Sequence, residues 1–435
     1  MEEEKEKPIN SNLTSRIWKL GTLTTEISAN IVLNKIKDFV KKDNSSSIIN
    51  NQVAEKIAKV LGELKGPLMK LGQYLSLHDV FNTEDDFFQK FNTLHYQAPS
   101  MSFYFTKMQI EKELGKSPDY LFKSFSRKPI GSASIGQVHE AFLKDGRKVA
   151  VKVQYPDMEK IIKSDLTTLK IGLTPLKYIY STNLEPIINE IEGILTNELN
   201  YKNEADNIKK FSNFFKNYEN IIIPDYIPEL STQKVLTMNF IEGRPFEVAL
   251  KEDNLSQEEC NNIGKLLLHS LWNQLFKNKT IHADPHPGNF LIVNRNKLCL
   301  LDFGCVKVFS NDFVETYKRL IRAILEKDIS TEKQCYVLLG FANENEEEKL
   351  DAIHNFSEFT SLPYTGKDFF DLSKNLDKLK EGQKEFKKMA DKVGFRLPKD
   401  FVYLNRTLFG LGMLLFKLKV NLNFYNEMEK YIFDN

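Results

Sequence analysis

Residues 280–292 read TIHADPHPGNFLI, and a second apolar stretch, after the turn Asn294-Arg295-Asn296, ends in Leu-Asp-Phe-Gly at 301–304. Asn289 follows Asp284 by five positions and Asp302 follows it by eighteen. Few architectures tolerate that order. A polar loop, a β-hairpin and a second acidic turn bring three oxygen-bearing side chains to one place, as phosphoryl transfer requires in kinase-fold enzymes. One Asp orients or deprotonates the nucleophile. An Asn on the same loop and an Asp past the hairpin hold the metal that bridges the phosphates. His282 and His286 offer a rival pair of metal ligands at i, i+4. That spacing converges only on a helix, and Pro285 and Pro287 rule out a regular one. The loop therefore reads as catalytic rather than as a zinc site, with His282 bracing its backbone.

The segment RKVAVKVQYP (147–156) reads as a strand after the turn KDG (144–146). Alternation puts Val149, Val151 and Val153 on one face and Lys148, Ala150 and Lys152 on the other. A lysine on such a strand reaches the α and β phosphates, and Ala150 beside it leaves room for adenine. Its acidic partner is expected on a following helix, where NELNYKNEADN (197–207) offers Glu198 and Glu204. Both lie about fifty residues past Lys152, which predicts helices inserted within the small lobe. The phosphate-covering loop falls at PIGSASIGQVH (129–139) and departs from G-x-G-x-x-G. Gly131 and Gly136 take the outer places and Ala133 the middle one, between Ser132 and Ser134. A methyl there restricts φ and stiffens the loop. Gln137 and Val138 stand where a Walker loop has Lys and Ser or Thr.

The 435 residues exceed what one core needs. A net charge of +1 gives no pull toward nucleic acid. The four Cys form no CxxC pair, so neither a zinc site nor a disulfide framework is expected, and Cys305 reads as a small packing residue. The opening MEEEKEKPIN fits neither a secretory signal nor a mitochondrial presequence. Ile17, Leu20, Thr24, Ile27 and Ile31 recur at helical spacing, residues 43–51 look like a linker, and Val53, Ile57, Val60 and Leu61 suggest a helix leading into LKGPLMKLGQYLSL (64–77). Helical patterns resume from about 158 to 217, a short strand falls within 233–243, and the remainder is mainly helical apart from the hairpin. The longest near-apolar run, LFGLGMLLF (408–416), is far short of a spanning helix.

Together these stretches resemble the UbiB family, also called AarF-type: atypical kinases tied to ubiquinone biosynthesis and lipid homeostasis. The resemblance runs from about residue 55 to 420. LMKLGQYLS matches its Lys-x-Gly-Gln hallmark at Lys70, Gly72 and Gln73. PIGSASIGQVHEA, VAVKVQYP, NELNYKNEADN, LTMNFIEGRP, IHADPHPGN and LDFG follow in the family's order. The resemblance implies that the N-terminal motif folds over the active site and blocks a protein substrate, with Lys70 reaching toward the nucleotide pocket and pairing with Glu198. It also implies that Glu204 partners Lys152 and that Met238 and Asn239 lie at the hinge, where backbone groups meet adenine. ATPase activity and a small lobe that disfavours phosphorylation in trans belong to the same expectation. The chain departs at Glu198-Leu199-Asn200, where the family often has Glu-x-Asp, and Asn200 loses the charge. The Ala-rich loop begins Gly131-Ser132 but keeps Ala133.

The expected fold is α+β: a two-lobed protein-kinase-like fold with a helical N-terminal extension and a helical insertion in the small lobe. The expected divisions are a polar tail at 1–15, the extension at 16–115, the small lobe at 116–239 and a large helical lobe at 240–435. Asp284, Lys152 and Glu204 are assigned to the chemistry. Gly131, Ser132, Ala133, Ser134, Ala150, Lys152, Met238 and Asn239 are assigned to nucleotide, Asn289 and Asp302 to metal, and Lys70, Gly72, Gln73 and Glu198 to regulation. The expected activity is that of a Mg-dependent kinase or ATPase binding ATP or ADP, acting in ubiquinone or isoprenoid-lipid metabolism. A lipid or quinone-precursor ligand and peripheral membrane contact, through the N-terminal stripe or LFGLGMLLFKLKV, complete the expectation, with no nucleic-acid partner. The expected location is cytoplasmic, peripheral on a membrane, or mitochondrial in a eukaryote. Two other readings stay open. A small-molecule kinase similar to aminoglycoside or choline kinases shares the His-x-Asp loop but lacks a Lys-x-Gly-Gln extension. A nucleotide-binding scaffold would keep these residues without turnover.

Overall fold

A computed structural model describes residues 101–433, apart from 134, 168–169, 171–191, 194, 367, 373 and 376–396. The N-terminal stripe, the linker at 43–51, Lys70, Gly72, Gln73 and Ser134 lie outside the described residues. The described chain divides into two compact units. The first runs to Asp206 and takes in Asp225–Phe240; the second comprises Asn207–Pro224 and the chain from Ile241 onward.

The first unit is built on an antiparallel sheet. Its strands are β1 (Ser124–Phe125), β2 (Gly131–Ala133), β3 (Gly136–Phe142) and β4 (Lys148–Gln154); β5 (Ile221–Ile222) belongs to the second unit, and β6 (Val235–Asn239) returns to the first. The order is β1-β3-β4-β6, with β2 paired to β3. Val149, Val151 and Val153 are fully buried on one face, packed with Phe122, Leu143 and Ile110 of the helix Phe103–Leu114. Burying each such side chain stabilises by about 1.5–3 kcal/mol. That burial also fixes the register, because a slip of one residue would drive Lys148, Ala150 and Lys152 into the apolar face.

Buried polar groups tie the helix to β3. Gln137 accepts from the Met101 N–H (2.9 Å) and offers its amide to the Met101 carbonyl (3.2 Å), Thr106 Oγ1 (2.9 Å) and His139 Nε2 (2.9 Å). His139 Nδ1 lies 2.8 Å from the Ser126 carbonyl. A carbonyl only accepts, so Nδ1 carries the proton and Nε2 is the acceptor for Gln137. Burial pushes the His139 pKa below its ordinary value, in keeping with a neutral ring.

The second unit is mainly helical. Its small sheet holds β7 (Arg244–Pro245), β9 (Phe290–Val293) and β10 (Lys297–Leu300) in the order β5-β10-β9-β7, with β5 parallel to β10. β8 (Thr280–His282) pairs separately with β11 (Val306–Val308). The β9–β10 hairpin turns through Asn294 and Arg295, both at positive φ, with the Asn296 N–H on the Val293 carbonyl. This is the type I′ geometry that suits the strand twist. Arg295 is an unusual residue for it, and its guanidinium is held by Glu259 and by the carbonyls of Asp253 and Asn254. Helices Gln257–Trp272, Asn311–Glu326, Ile329–Leu338, Glu347–Thr365, Lys399–Lys417 and Phe424–Ile432 make up most of the rest. The first of these starts at a capping box between Ser256 and Glu259. LFGLGMLLF falls in Lys399–Lys417, where Leu411, Leu414 and Leu415 are buried while Phe409 and Met413 face outward. No helix of the described residues is long and apolar enough to cross a membrane.

Candidate active site

In the first unit the functional side chains gather along β4 and the start of the helix Tyr201–Phe215. Lys152 is 6% exposed and Glu204 3%. The ammonium donates to both carboxylate oxygens, each at 2.8 Å. Buried charges persist only when paired and hydrogen-bonded, so this bidentate grip explains how a lysine is buried in the middle of the strand. Packing thus pairs Lys152 with the second of the two acids the sequence offers. Glu198, six residues earlier, is also buried, and its expected partner Lys70 lies outside the described residues. Asn200 accepts from the Lys202 N–H at 3.1 Å and so caps the first turn of the helix. Ala150 is opposite Met238 in the β4–β6 register, and Asn239 is opposite Val149. The Asn239 N–H donates to the Asp225 carbonyl (2.8 Å), so that group is engaged within the unit.

β2 and β3 form the expected covering hairpin. Gly131 pairs with Val138, Ser132 with Gln137 and Ala133 with Gly136. The two outer glycines are not equivalent. A Cβ on Gly131 would meet nothing within 4 Å, whereas one on Gly136 would lie 2.4 Å from the Val153 carbonyl oxygen and 2.7 Å from Tyr201 Oη. Only Gly136 lets the hairpin close onto β4 and Tyr201, whose ring lies 5.1 Å from the Lys152 ammonium.

In the second unit Asp284 leaves β8 into a loop that Pro287–Asn289 closes as a single 3₁₀ turn. The Asn289 amide donates to Asp284 Oδ2 and to the Asp284 carbonyl, both at 3.0 Å. The Leu301 N–H donates to the Asn289 carbonyl at 2.8 Å, which links the loop to the Asp302 turn. Asp302 sits at φ +54°, a left-handed conformation that costs a non-glycine residue about 1–2 kcal/mol. Several contacts hold it there. His282 Nε2 lies 2.8 Å from the Asp302 carbonyl and 3.0 Å from that of Leu301, so it donates to both. The Gly304 N–H donates to Asp302 Oδ1 at 3.2 Å. Phe303 is buried against Phe211 and His282, with ring centroids 4.9 and 5.4 Å away, and its carbonyl accepts from Asn207 at 3.0 Å. Such strain, fixed from several sides, is typical of functional turns.

His282 and His286 do not converge as ligands. The first braces the backbone of the Asp302 turn rather than that of its own loop. His286 Nδ1 accepts from the Gly288 N–H at 3.1 Å, and burial pushes its pKa below the ordinary histidine value. Among the described residues no group of three or more His, Cys, Asp or Glu side chains could hold a metal alone. Asn289 and Asp302 each carry a side-chain oxygen, and the Leu301 N–H to Asn289 carbonyl bond ties their two turns together. Two oxygen donors are the kind of sparse protein contribution that Mg²⁺ takes, the rest coming from phosphates and water. The Asn289 Nδ2 bonds to Asp284 turn the amide oxygen the other way, as a ligand carbonyl would need.

Sequence reasoning missed Arg406. It lies on the helix Lys399–Lys417, 122 positions past Asp284, and its Nη2 donates to Asp284 Oδ1 at 2.6 Å. It missed Asn207 and Phe211 as well, which anchor Phe303. No local spacing marks any of the three.

Comparison with known proteins shows what the chain is similar to. Residues 93–336 match the family model described as ABC1 atypical kinase-like domain. AarF domain-containing protein kinase 1 of Gallus gallus is 32% identical over 70% of this chain, which spans 58% of that relative's length. The mitochondrial atypical kinase COQ8 of Saccharomyces cerevisiae is 29% identical over 86% of this chain and 76% of its own. The solved complex of Rv3197 with erythromycin, from Mycobacterium tuberculosis, superposes with a TM-score of 0.64 at 25% identity, covering 88% of this chain and 96% of that one.

Proposed function

We infer the function from the premise that the chain belongs to the ABC1 atypical kinase-like family, the UbiB group that includes kinases named COQ8 and AarF domain-containing kinase. The reading is a Mg²⁺-dependent ATP phosphotransferase or ATPase, acting on a lipid or quinone-precursor ligand at a membrane surface. Its main support is the buried Lys152–Glu204 pair at 2.8 Å. A carboxylate that accepts from one ammonium through both of its oxygens fixes the position of that ammonium for phosphate oxygens, a role an exposed strand lysine would not fill.

In this reading Lys152 binds the α and β phosphates beneath the β2–β3 hairpin, and Ala150 and Met238 leave space for adenine. Asn289 and Asp302 would hold Mg²⁺, which when bound neutralises charge on the phosphates. Asp284 accepts a hydrogen bond from the attacking hydroxyl or water and orients it. Lys70 would pair with Glu198, which is buried in the first unit. Outward-facing Phe409 and Met413, 56% and 43% exposed, support peripheral contact with a membrane, mitochondrial as the yeast relative is named or cytoplasmic.

The test is phosphate release from Mg-ATP by purified protein, with and without liposomes and a phenolic quinone-precursor mimic, compared with Asp302→Asn. Release that needs Asp302 and rises with lipid supports the reading. Retained nucleotide binding with no release under any condition favours a scaffold. Steady phosphorylation of a soluble aminoglycoside or choline favours the small-molecule kinase.

A further inference from the structure

The helix Lys399–Lys417 lies beyond the residues matched by the family model, 93–336, yet it meets the catalytic turns at three points. Arg406 Nη2 donates to Asp284 Oδ1 at 2.6 Å, with the two side chains only 12% and 17% exposed. Gly410, one turn further on, brings the helix backbone against the next loop residue. A Cβ there would lie 2.3 Å from Pro285 Cγ and 3.0 Å from its Cβ. Near the helix start, Asp400 pairs at 2.6 Å with Lys307, which sits on β11 just past the Asp302 turn. Residues 406 and 410 are four apart and so share one helix face.

We propose that this helix is the positioning element of the catalytic loop, and that Arg406 is the positioning residue that sets the orientation of the Asp284 carboxylate. An aspartate's terminal torsion is soft and two-fold, so a single hydrogen bond leaves the carboxylate plane poorly defined. Here Oδ1 is held by Arg406 and Oδ2 by the Asn289 amide, and two holds from different directions fix that plane. The guanidinium contributes a charge-assisted bond, about twice as strong as a neutral one. Gly410 sets the distance, since any larger residue would push the helix, and Arg406 with it, away from the loop. The Glu247–Lys417 pair keeps the far end of the same helix in place. This rests on the reading of Asp284 as the group that orients the nucleophile. A misplacement of about 1 Å at such a group lowers the rate roughly 10²-fold.

The experiment compares wild type with Arg406→Leu and Arg406→Lys. It measures kcat and KM for Mg-ATP, and the Asp284 ¹³Cγ resonance at one fixed pH, assigned by its loss in Asp284→Asn. Arg406→Leu is expected to lower kcat about 10–100-fold while KM stays within about threefold, and to move the Asp284 resonance; Arg406→Lys recovers part of kcat. A kcat and a resonance equal to wild type overturn the proposal. So does a joint collapse of kcat, KM and thermal stability that Arg406→Lys fails to relieve, which is the mark of a purely structural residue. If Arg406→Leu does not fold, Gly410→Ala retains Arg406 but displaces the helix and should give the same kcat-selective loss; an unchanged kcat overturns the idea. A wild-type protein without Asp302-dependent turnover sinks the phosphotransfer reading instead, and the resonance comparison still decides whether Arg406 holds Asp284.

Discussion

Glu204→Gln separates the structural from the chemical role of the buried pair. Lys152 and Glu204 are nearly inaccessible, and the ammonium bridges both carboxylate oxygens at 2.8 Å. Removing one charge from such a pair strands the other in a poorly solvating environment and costs about 3–5 kcal/mol. At about 2–4 °C per kcal/mol for a domain of this size, the thermal midpoint of the first unit should fall by roughly 6–20 °C. Glutamine keeps one acceptor oxygen, so the lower end of that range is expected. Phosphate release should also drop at least tenfold, because Lys152 loses the partner that aims it. Lys152→Met combined with Glu204→Met should recover the midpoint to near wild type, since apolar replacement of a buried pair is often neutral or stabilising, but it should not recover turnover. Calorimetry and a phosphate-release assay on the same preparations decide the matter. If Glu204→Gln melts like wild type, the pair is not buried as described. If the double variant turns ATP over normally, Lys152 does not serve the phosphates.

The buried His139 gives the first unit a pH dependence of definite sign. Its folded pKa lies below 6.5, so around and just below that pH the unfolded chain takes up a proton more readily than the folded one. Stability is then full above pH 6.5 and declines as pH falls toward the folded value. Urea midpoints on either side of pH 6.5 should show this in wild type and show less of it in His139→Gln; equal slopes would assign the dependence to another group. Gly136→Ala and Gly131→Ala form a matched pair for the hairpin. The first must push aside the Val153 carbonyl or the Tyr201 hydroxyl and should lose about 1–3 kcal/mol, with weaker nucleotide binding. The second, whose Cβ would meet nothing within 4 Å, should melt like wild type.

The reach of sequence reasoning follows the separation of the residues that must meet. Asp284, Asn289 and Asp302 lie within one loop and one hairpin; the structure joins Asp284 to Asn289 directly and ties the Asp302 turn to them through the backbone, and the alternation of Val149, Val151 and Val153 is enough to aim Lys152. The partner of Lys152 is less determined. Spacing leaves both Glu198 and Glu204 open; the family resemblance points to Glu204, and the helix that starts at Tyr201 brings that residue to Lys152. The two outer glycines of the hairpin look alike in sequence, yet only Gly136 faces a strand backbone close enough to forbid a methyl. Arg406 shows the limit. Its contact with Asp284 spans 122 positions and depends on Gly410 bringing a whole helix against Pro285, and no local pattern encodes that approach. The run that holds it, LFGLGMLLF, suggests a membrane-facing stripe when read by hydropathy. In the fold Leu411, Leu414 and Leu415 are buried and Gly410 meets Pro285, while Phe409 and Met413 stay outward, so one face of the run places a helix against the Asp284 loop and the other remains open to contact.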